Sequence, residues 1–276
     1  MTVYIERKNK RLVYIEEKST SDFWDKEWDR KDFKESILKE KDNLFLKILM
    51  KYIPNKKGRI LEGGCGIGGK VYCMQKYGYR AIGVDYAKKT IKRVKEFMPQ
   101  LDVRIGDIRN LPFPDDYFIS YISLGVIEHF WEGYIEILKE MKRVLVNRGY
   151  LILSFPYTSP LRRLKMRLGL YDYKEITNKE REKFYQFALN EKNVIRDFEK
   201  AGFKFLEKQP NYGIKGFKEE IFIFKRILKF IMQKVYDYQG KNVWLIGFKY
   251  FLEKLLIKFG AGHMIFLVFR KLENKI

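Results

Sequence analysis

The sequence predicts an α/β protein built on a doubly wound, mostly parallel sheet. Three observations predict it. Short apolar runs alternate with helical patterns of about ten residues. The first run opens onto the glycine-rich turn "RILEGGCGIGGK" at 59–70, and acidic residues close the first three runs at Glu62, Asp85 and Asp107. A chain of 276 residues, 46% of them apolar, is long enough to bury one large core, so a single domain over 1–276 is expected.

The elements follow in order. "SDFWDKEWDRKDF" is aromatic and charged and leads into a helical pattern through "NLFLKILMKYI" that stops at Pro54, so 20–54 reads as a helical N-terminal segment. "GRILEGG" reads as a strand, "GGKVYCMQKYG" as a helix closed by Gly78, "RAIGVDY" as a strand and "KKTIKRVKEFM" as a helix. "DVRIGDI" gives a third strand, "YFISYISLG" a fourth, "YIEILKEMKRVL" a helix and "GYLILSFP" a fifth strand. From 157 to 192 no strand pattern is visible; a helix "NVIRDFEKAGF" and a strand "KFLEKQP" resume the alternation. A second interruption at 212–262 precedes the last apolar strand, "HMIFLVFRK". The two interruptions read as insertions on the working edge of the sheet.

Lys and Arg number 56 against 35 Asp and Glu, a net charge of +21. Such a balance suits an anionic partner, and it equally matches the Lys- and Glu-rich composition of thermophile proteins. Cys65 and Cys73 are the only cysteines, which excludes a disulfide framework and a thiolate-ligated metal. No window of eighteen apolar residues exists, and the start lacks the apolar stretch of a secretory signal, so a cytoplasmic protein is expected.

The glycine turn satisfies two patterns at once. Gly64, Gly66 and Gly69 fit G-x-G-x-x-G, while Glu62, Gly64, Gly66 and Gly68 fit E-x-G-x-G-x-G. Neighbouring residues decide between them. A pyrophosphate on a helix N-terminus gains nothing from a carboxylate just before the glycines, whereas Glu62 suits a cationic ligand. Asp85, seventeen residues after Gly68, is placed to accept from two ribose hydroxyls, and Asp107, twenty-two further on, to accept from an exocyclic adenine amine.

"ILEGGCGIGG", "GVDYA", "GDIRNLPFPDDYFISYISLGVIEHF" and "EMKRVLVNRGYLILSFP", over roughly 55–156, resemble the class I S-adenosylmethionine-dependent methyltransferases, in particular the group with quinone-biosynthesis and small-molecule enzymes. "FEKAGFKFLE" and "HMIFLVFRK" resemble the end of that fold. The resemblance implies a Rossmann-like, seven-stranded sheet with an antiparallel last strand, and S-adenosyl-L-methionine as cofactor. It implies that Glu62, Gly64, Gly66 and Gly68 line the methionine half, that Asp85 binds the ribose, and that Asp107 with the Ile108 backbone binds the adenine. Cys65, Tyr86, Leu124 and Trp24 join the implied cofactor contacts. Gly69 is read as helix packing. "FWDKEWD" resembles the segment that folds over the cofactor in this family, although Phe23, Trp24 and Trp28 at helical spacing equally suit a core staple.

For a hydroxyl acceptor, His129 in "LGVIEHF" is the candidate base and Glu128 its orienting partner; the competing reading makes the pair a helix cap and pocket floor. Some relatives bind a metal with a second glutamate three residues before this pair. Gly125 stands there, and no metal is expected. Arg162, Arg163 and Arg167, with Lys165, are expected to bind a substrate phosphate or carboxylate. With "FYQFALN" they resemble insertions in methyltransferases of glycan and surface polysaccharide synthesis. In the second insertion two amphipathic helices are expected, one with the stripe Ile221, Phe224, Leu228, Ile231 and Val235. From Asn211 onward thirteen basic residues face five acidic ones. A cap or dimer contact and a peripheral contact with the anionic inner face of a membrane are both open. Basic residues interleaved with large apolar ones argue against nucleic acid. The expected function is O-methylation of a sugar or a glycolipid or polyprenyl-linked precursor. The alternatives are methylation of a small soluble metabolite under a helical cap and a non-catalytic, membrane-associated scaffold.

Overall fold

The computed structural model describes residues 2–6, 9–29, 32–38, 40, 43–220, 233–238 and 242–273. Strands β1 (Thr2–Glu6) and β2 (Arg11–Ile15) form an antiparallel hairpin, followed by helices α1 (Ser21–Asp29), α2 (Phe33–Leu38) and α3 (Asn43–Tyr52). The alternation read from the sequence then runs β3 (Arg59–Gly63), α4 (Gly69–Lys76), β4 (Arg80–Asp85), α5 (Lys88–Phe97), β5 (Val103–Ile105), β6 (Phe118–Leu124), α6 (Ile135–Val144) and β7 (Leu145–Pro156). These five strands are parallel. β10 (Phe203–Asn211) and β11 (Met264–Lys271) complete a seven-stranded sheet of order β10-β11-β7-β6-β3-β4-β5, with β11 antiparallel to both neighbours.

Both faces of this sheet are covered because its strands are apolar at consecutive positions. Ile60, Ile122, Ile152 and Phe266 pack with residues of α3, α4 and α5. Leu61, Tyr121, Leu151 and Leu267, each adjacent to one of these in its strand, pack on the opposite face with α6 and α9 (Glu191–Lys200). The chain passes from β3 to β4 and β5 on one side and then to β6 and β7 on the other. That reversal opens a crevice beyond the carboxyl ends of β3 and β6.

The first insertion departs from the sequence reading. After α7 (Pro160–Arg167) it contains β8 (Asp172–Tyr173), α8 (Asn178–Arg181) and β9 (Phe184–Ala188), and the two strands join the N-terminal hairpin in a second sheet, β8-β1-β2-β9. Five residues of "FYQFA" give little periodic signal alone. They are strand because β2 offers a partner edge, pairing Leu12 with Ala188 and Val13 with Phe187.

The second insertion carries α10 (Gly213–Glu220) and α11 (Val243–Lys258). Glycine at 216 lets α10 approach the chain after α11, since a Cβ there would lie 1.9 Å from the Ala261 carbonyl oxygen. Of the expected apolar stripe, Ile221, Phe224, Leu228 and Ile231 lie outside the described residues; Val235 packs with Ile214 and Leu256. α11 corrects the amphipathic expectation. Apolar residues occupy nearly its whole circumference, Leu256 alone is buried, and Trp244 is 88% exposed.

Candidate active site

Beyond β3 the chain turns through Gly64 (φ 79°) and Gly66 (φ 52°), backbone conformations that side chains resist. The Gly64 and Cys65 amides donate to the Val84 carbonyl at 2.8 and 3.1 Å, which holds the turn to the end of β4. A Cβ on Gly64 would lie 2.4 Å from Val126, and one on Gly66 2.7 Å from the Trp28 ring. Gly68, at the N-cap of α4, faces Val103 and Leu101, whereas Gly69 is on the cavity wall. The structure thus exchanges the roles expected for these two glycines.

Three carboxylates meet the turn. Glu62 is 3% exposed, its Oε2 has no hydrogen-bond partner, and burial pushes its carboxyl up to about 8. Asp85 accepts from the Gly66 amide through Oδ2 at 2.8 Å and from the Ala87 amide through Oδ1 at 2.9 Å. Burial raises its pKa, opposed by those amides. Asp107, half exposed beyond β5, pairs with Arg109, whose guanidinium holds it below the ordinary carboxylate range. Ile108 and Leu124 line the wall between them.

α1 covers this end. The Tyr86 hydroxyl donates to the Ser19 carbonyl at 2.9 Å, and Ser21 Oγ to the Tyr86 carbonyl at 3.0 Å. Asp25 accepts from the Thr90 amide and hydroxyl at 2.8 and 2.7 Å, which ties α1 to α5. Trp24 and Trp28 stack with centroids 6.2 Å apart and both line the cavity. Trp24, edge-on to His129, suits the lid reading, while Trp28 also packs against the core beside the glycine turn, so each reading holds for one tryptophan.

On the other side a 3-10 turn after β6 (Ile127–His129) presents the Glu-His pair. Nδ1 of His129 lies 2.8 Å from the Tyr185 carbonyl of β9. A carbonyl only accepts, so Nδ1 carries the hydrogen and Nε2 keeps its lone pair. Burial pulls His129 down to about 4, with the Tyr185 carbonyl opposing, and the ring is neutral at physiological pH. Glu128 is not the orienting partner: its Oε1 is 4.0 Å from Nε2, beyond hydrogen-bond reach. Tyr185 takes that part. Burial pushes Glu128 up to about 8, and its Oε2 also has no partner.

The arginine cluster lies elsewhere. Arg162 is fully buried and donates to Glu220 at 2.8 Å and the Tyr157 carbonyl at 2.9 Å; Arg163 is held by Glu191 at 2.9 Å. Arg167 is exposed and off the cavity wall. Arg162, Arg163 and Lys165 are neutralised by carboxylates of α9 and α10 and Arg167 stands off the cavity, so the expectation of a substrate site at Arg162, Arg163 and Arg167 is corrected. The wall opposite the glycine turn is built instead from Tyr14, Gln186, Lys215, Glu219 and His263. The whole cavity measures about 1550 Å³, against about 300–1000 Å³ for a pocket that holds one small ligand. It has room for two.

Residues 61–153 match the family model described as a methyltransferase domain. That stretch, about a third of the chain, is similar to the methyltransferase domain of class I S-adenosylmethionine-dependent enzymes. A "Probable S-adenosylmethionine-dependent methyltransferase" of Mycolicibacterium smegmatis is 34% identical over 97 residues, 35% of this chain and 37% of that relative, so the match spans little more than a third of the relative's length. An uncharacterized protein of Methanocaldococcus jannaschii is 29% identical over 80% of this chain and 88% of its own. A crystal structure of a SAM-dependent methyltransferase from Archaeoglobus fulgidus shares the fold at 18% identity and a TM-score of 0.52, over 87% of this chain and 98% of that one.

S-adenosyl-L-methionine is the cofactor that these matches imply, and the residues present fit it. The unpartnered Oε2 of Glu62 offers an acceptor to a cationic amine, the backbone of Gly64 and Gly66 lines the cavity beside it, and Asp85 and Asp107 supply further acceptors. Tyr185, Lys215, Glu219 and His263 were not legible as site residues. Tyr185 belongs to β9, whose strand signal was weak, Lys215 and Glu219 lie in the second insertion, far from any motif, and His263 opens the last apolar run, which reads as a strand only.

Proposed function

We propose that the protein transfers a methyl group from S-adenosyl-L-methionine to a hydroxyl oxygen of a sugar or of a glycolipid or polyprenyl-linked precursor. The observation that carries this reading is His129, neutral and fixed through Nδ1, with the Nε2 lone pair available in a cavity large enough for donor and acceptor. The bound cofactor supplies a methyl group already activated on a sulfonium. The chain has three tasks. Glu62, Asp85 and Asp107 hold the donor's polar groups, while the Trp24 and Trp28 rings exclude water and suit the sulfonium charge. His129 orients the acceptor hydroxyl through Nε2 and takes its proton. That proton becomes strongly acidic as the oxygen is alkylated, so a weakly basic imidazole suffices.

The test is methyl incorporation from labelled S-adenosyl-L-methionine into a glycolipid extract of the native cells. His129→Ala is expected to lower turnover by roughly a hundredfold with cofactor affinity unchanged. Full turnover with the cofactor still bound removes His129 from this role.

An anionic membrane surface is the proposed working place. Trp244, Phe248 and Phe251 are 88%, 52% and 60% exposed, and Lys254 and Lys258 follow on the same helix. Exposed aromatic and aliphatic side chains with neighbouring lysines suit an anionic bilayer. Among the described residues no helix is long and apolar enough to cross a membrane. The protein is expected to sediment with vesicles of anionic phospholipid at low salt and not with zwitterionic ones, and Trp244→Ser with Phe251→Ser to weaken sedimentation severalfold. Absence of sedimentation at low salt excludes this surface. A small soluble acceptor is the second reading, favoured by α10, which places Lys215 and Glu219 on the cavity wall.

A further inference from the structure

We propose that Lys215 is the anion-binding residue of the acceptor pocket, and that the methyl acceptor carries a phosphate or carboxylate group. The inference deepens the methyltransferase reading, on which its identification of an acceptor pocket rests. Six basic side chains line the cavity: Lys18, Lys70, Arg109, Lys139, Arg181 and Lys215. Lys70 is paired with Glu40, Arg109 with Asp107 and Arg181 with Glu132. Lys18 and Lys139 are exposed. Lys215 is half-buried, and among the described residues none stands within hydrogen-bond or ion-pair distance of it.

The groups behind it explain why it is left over. Arg162 donates to Glu220 at 2.8 Å and to Glu219 at 3.3 Å, Lys165 donates to Glu220 at 2.6 Å, and His263 donates through Nδ1 to Glu219 at 2.7 Å. Burial would raise Glu219, but His263, Lys215 and Arg162 outweigh it and keep the carboxylate ionised. Two carboxylates therefore balance Arg162 and Lys165, and the charge of Lys215 is surplus. Burial lowers the pKa of Lys215, as expected for an ammonium short of partners. Glu219, four residues on along α10, is fixed by His263 and Arg162, so it does not fold back to close the pair.

The cavity is thus polarised. Its β3–β5 end presents Glu62, Asp85 and Asp107 to a cationic donor, and the opposite wall presents the Lys215 ammonium beside Tyr14, Gln186 and His263, with the one carboxylate there, Glu219, already held by His263 and Arg162. A buried cation without a partner costs free energy unless a ligand supplies the anion. A lysine serves phosphate and carboxylate alike, as a point charge.

Calorimetric titration of the free protein with inorganic pyrophosphate, and separately with succinate, tests the proposal and distinguishes the two chemistries. One of the two is expected to bind. Lys215→Met should weaken it roughly tenfold or more, the loss of one charge-assisted hydrogen bond. Lys215→Arg should stay within a few-fold, and Lys204→Met, an exposed residue of β10, should change nothing. Neither anion binding to the native protein, or Lys215→Met binding as the native protein does, overturns the proposal. Titration of Lys215→Met with S-adenosylhomocysteine reports its fold: unchanged affinity means that only the anion site was lost. If the native protein takes an anion at Lys215 but no S-adenosylhomocysteine, the methyltransferase reading fails while the anion site stands.

Discussion

Asp85→Ala is expected to reduce affinity for S-adenosylhomocysteine by a hundredfold or more. The Asp85 carboxylate has two employments in the structure. It accepts the amides of Gly66 and Ala87 at 2.8 and 2.9 Å, which fixes the positive-φ turn against the end of β4, and it lines the cavity, where the proposed donor's ribose would meet it. Each hydrogen bond to a charged group is worth about 1.5–3 kcal/mol, and the substitution removes the internal pair together with those made to the ligand. Losing two such bonds already exceeds a hundredfold. Asp85→Asn separates the contributions: its amide keeps the volume, but its NH2 group meets one of the two backbone donors, so an intermediate loss is expected. Calorimetry reads the affinity and a thermal melt reads the fold. Affinity within threefold of the native protein for Asp85→Ala would take the carboxylate out of the site.

The sequence made the cofactor half legible because strand-end residues are also loop-start residues. Glu62, Asp85 and Asp107 each close an apolar run, and in a parallel sheet all such ends point to one crevice. Spacing alone could not separate Gly68 from Gly69. They are adjacent in the chain, and only the packing of Val103 and Leu101 behind Gly68 assigns the wall to Gly69. The acceptor half was largely hidden. The partner that fixes His129 is a backbone carbonyl 56 residues away, and β9, which supplies it, is strand only through pairing with β2. The arginines of α7 looked available for the same reason, since their acidic partners are far along the chain, Glu220 lying 58 residues after Arg162. A run of positive charge in sequence states supply, and the structure alone states which charges are spent.

Arg162→Ala follows from that point and is expected to have the largest effect on stability. The side chain is fully buried, with Nε on Glu220 at 2.8 Å and an NH1 group shared by the carbonyls of Tyr157 and His263 at 2.9 and 3.3 Å. It joins α7, α10 and the approach to β11, and Tyr14 of the N-terminal hairpin lies in its field. Burial alone would push Glu220 up; Arg162, Lys165 and Tyr171 outweigh it and hold its carboxylate ionised. Removing the guanidinium leaves Glu220 with Lys165 and Tyr171 only, frees Glu219 from one partner, and takes one donor each from the carbonyls of Tyr157 and His263, which keep the amides of Ser159 and Tyr157. Breaking a buried ion pair from one side costs about 3–5 kcal/mol. At about 2–4 °C per kcal/mol for a chain of this size, the melting temperature should fall by roughly 10 °C. Arg163→Ala is the comparison, because Arg163 is a third exposed and water can enter beside the buried Glu191 when it is removed, so the cost should be smaller. Calorimetric melts of both variants decide it: a fall for Arg162→Ala no larger than for Arg163→Ala would mean that the network adds nothing beyond a single half-exposed pair. S-adenosylhomocysteine affinity should persist below the lowered transition, since no cofactor-side residue touches Arg162. The acceptor wall should loosen, because Arg162 is what holds Glu219 and Glu220 while Lys215 is presented from the same turn-and-a-half of α10.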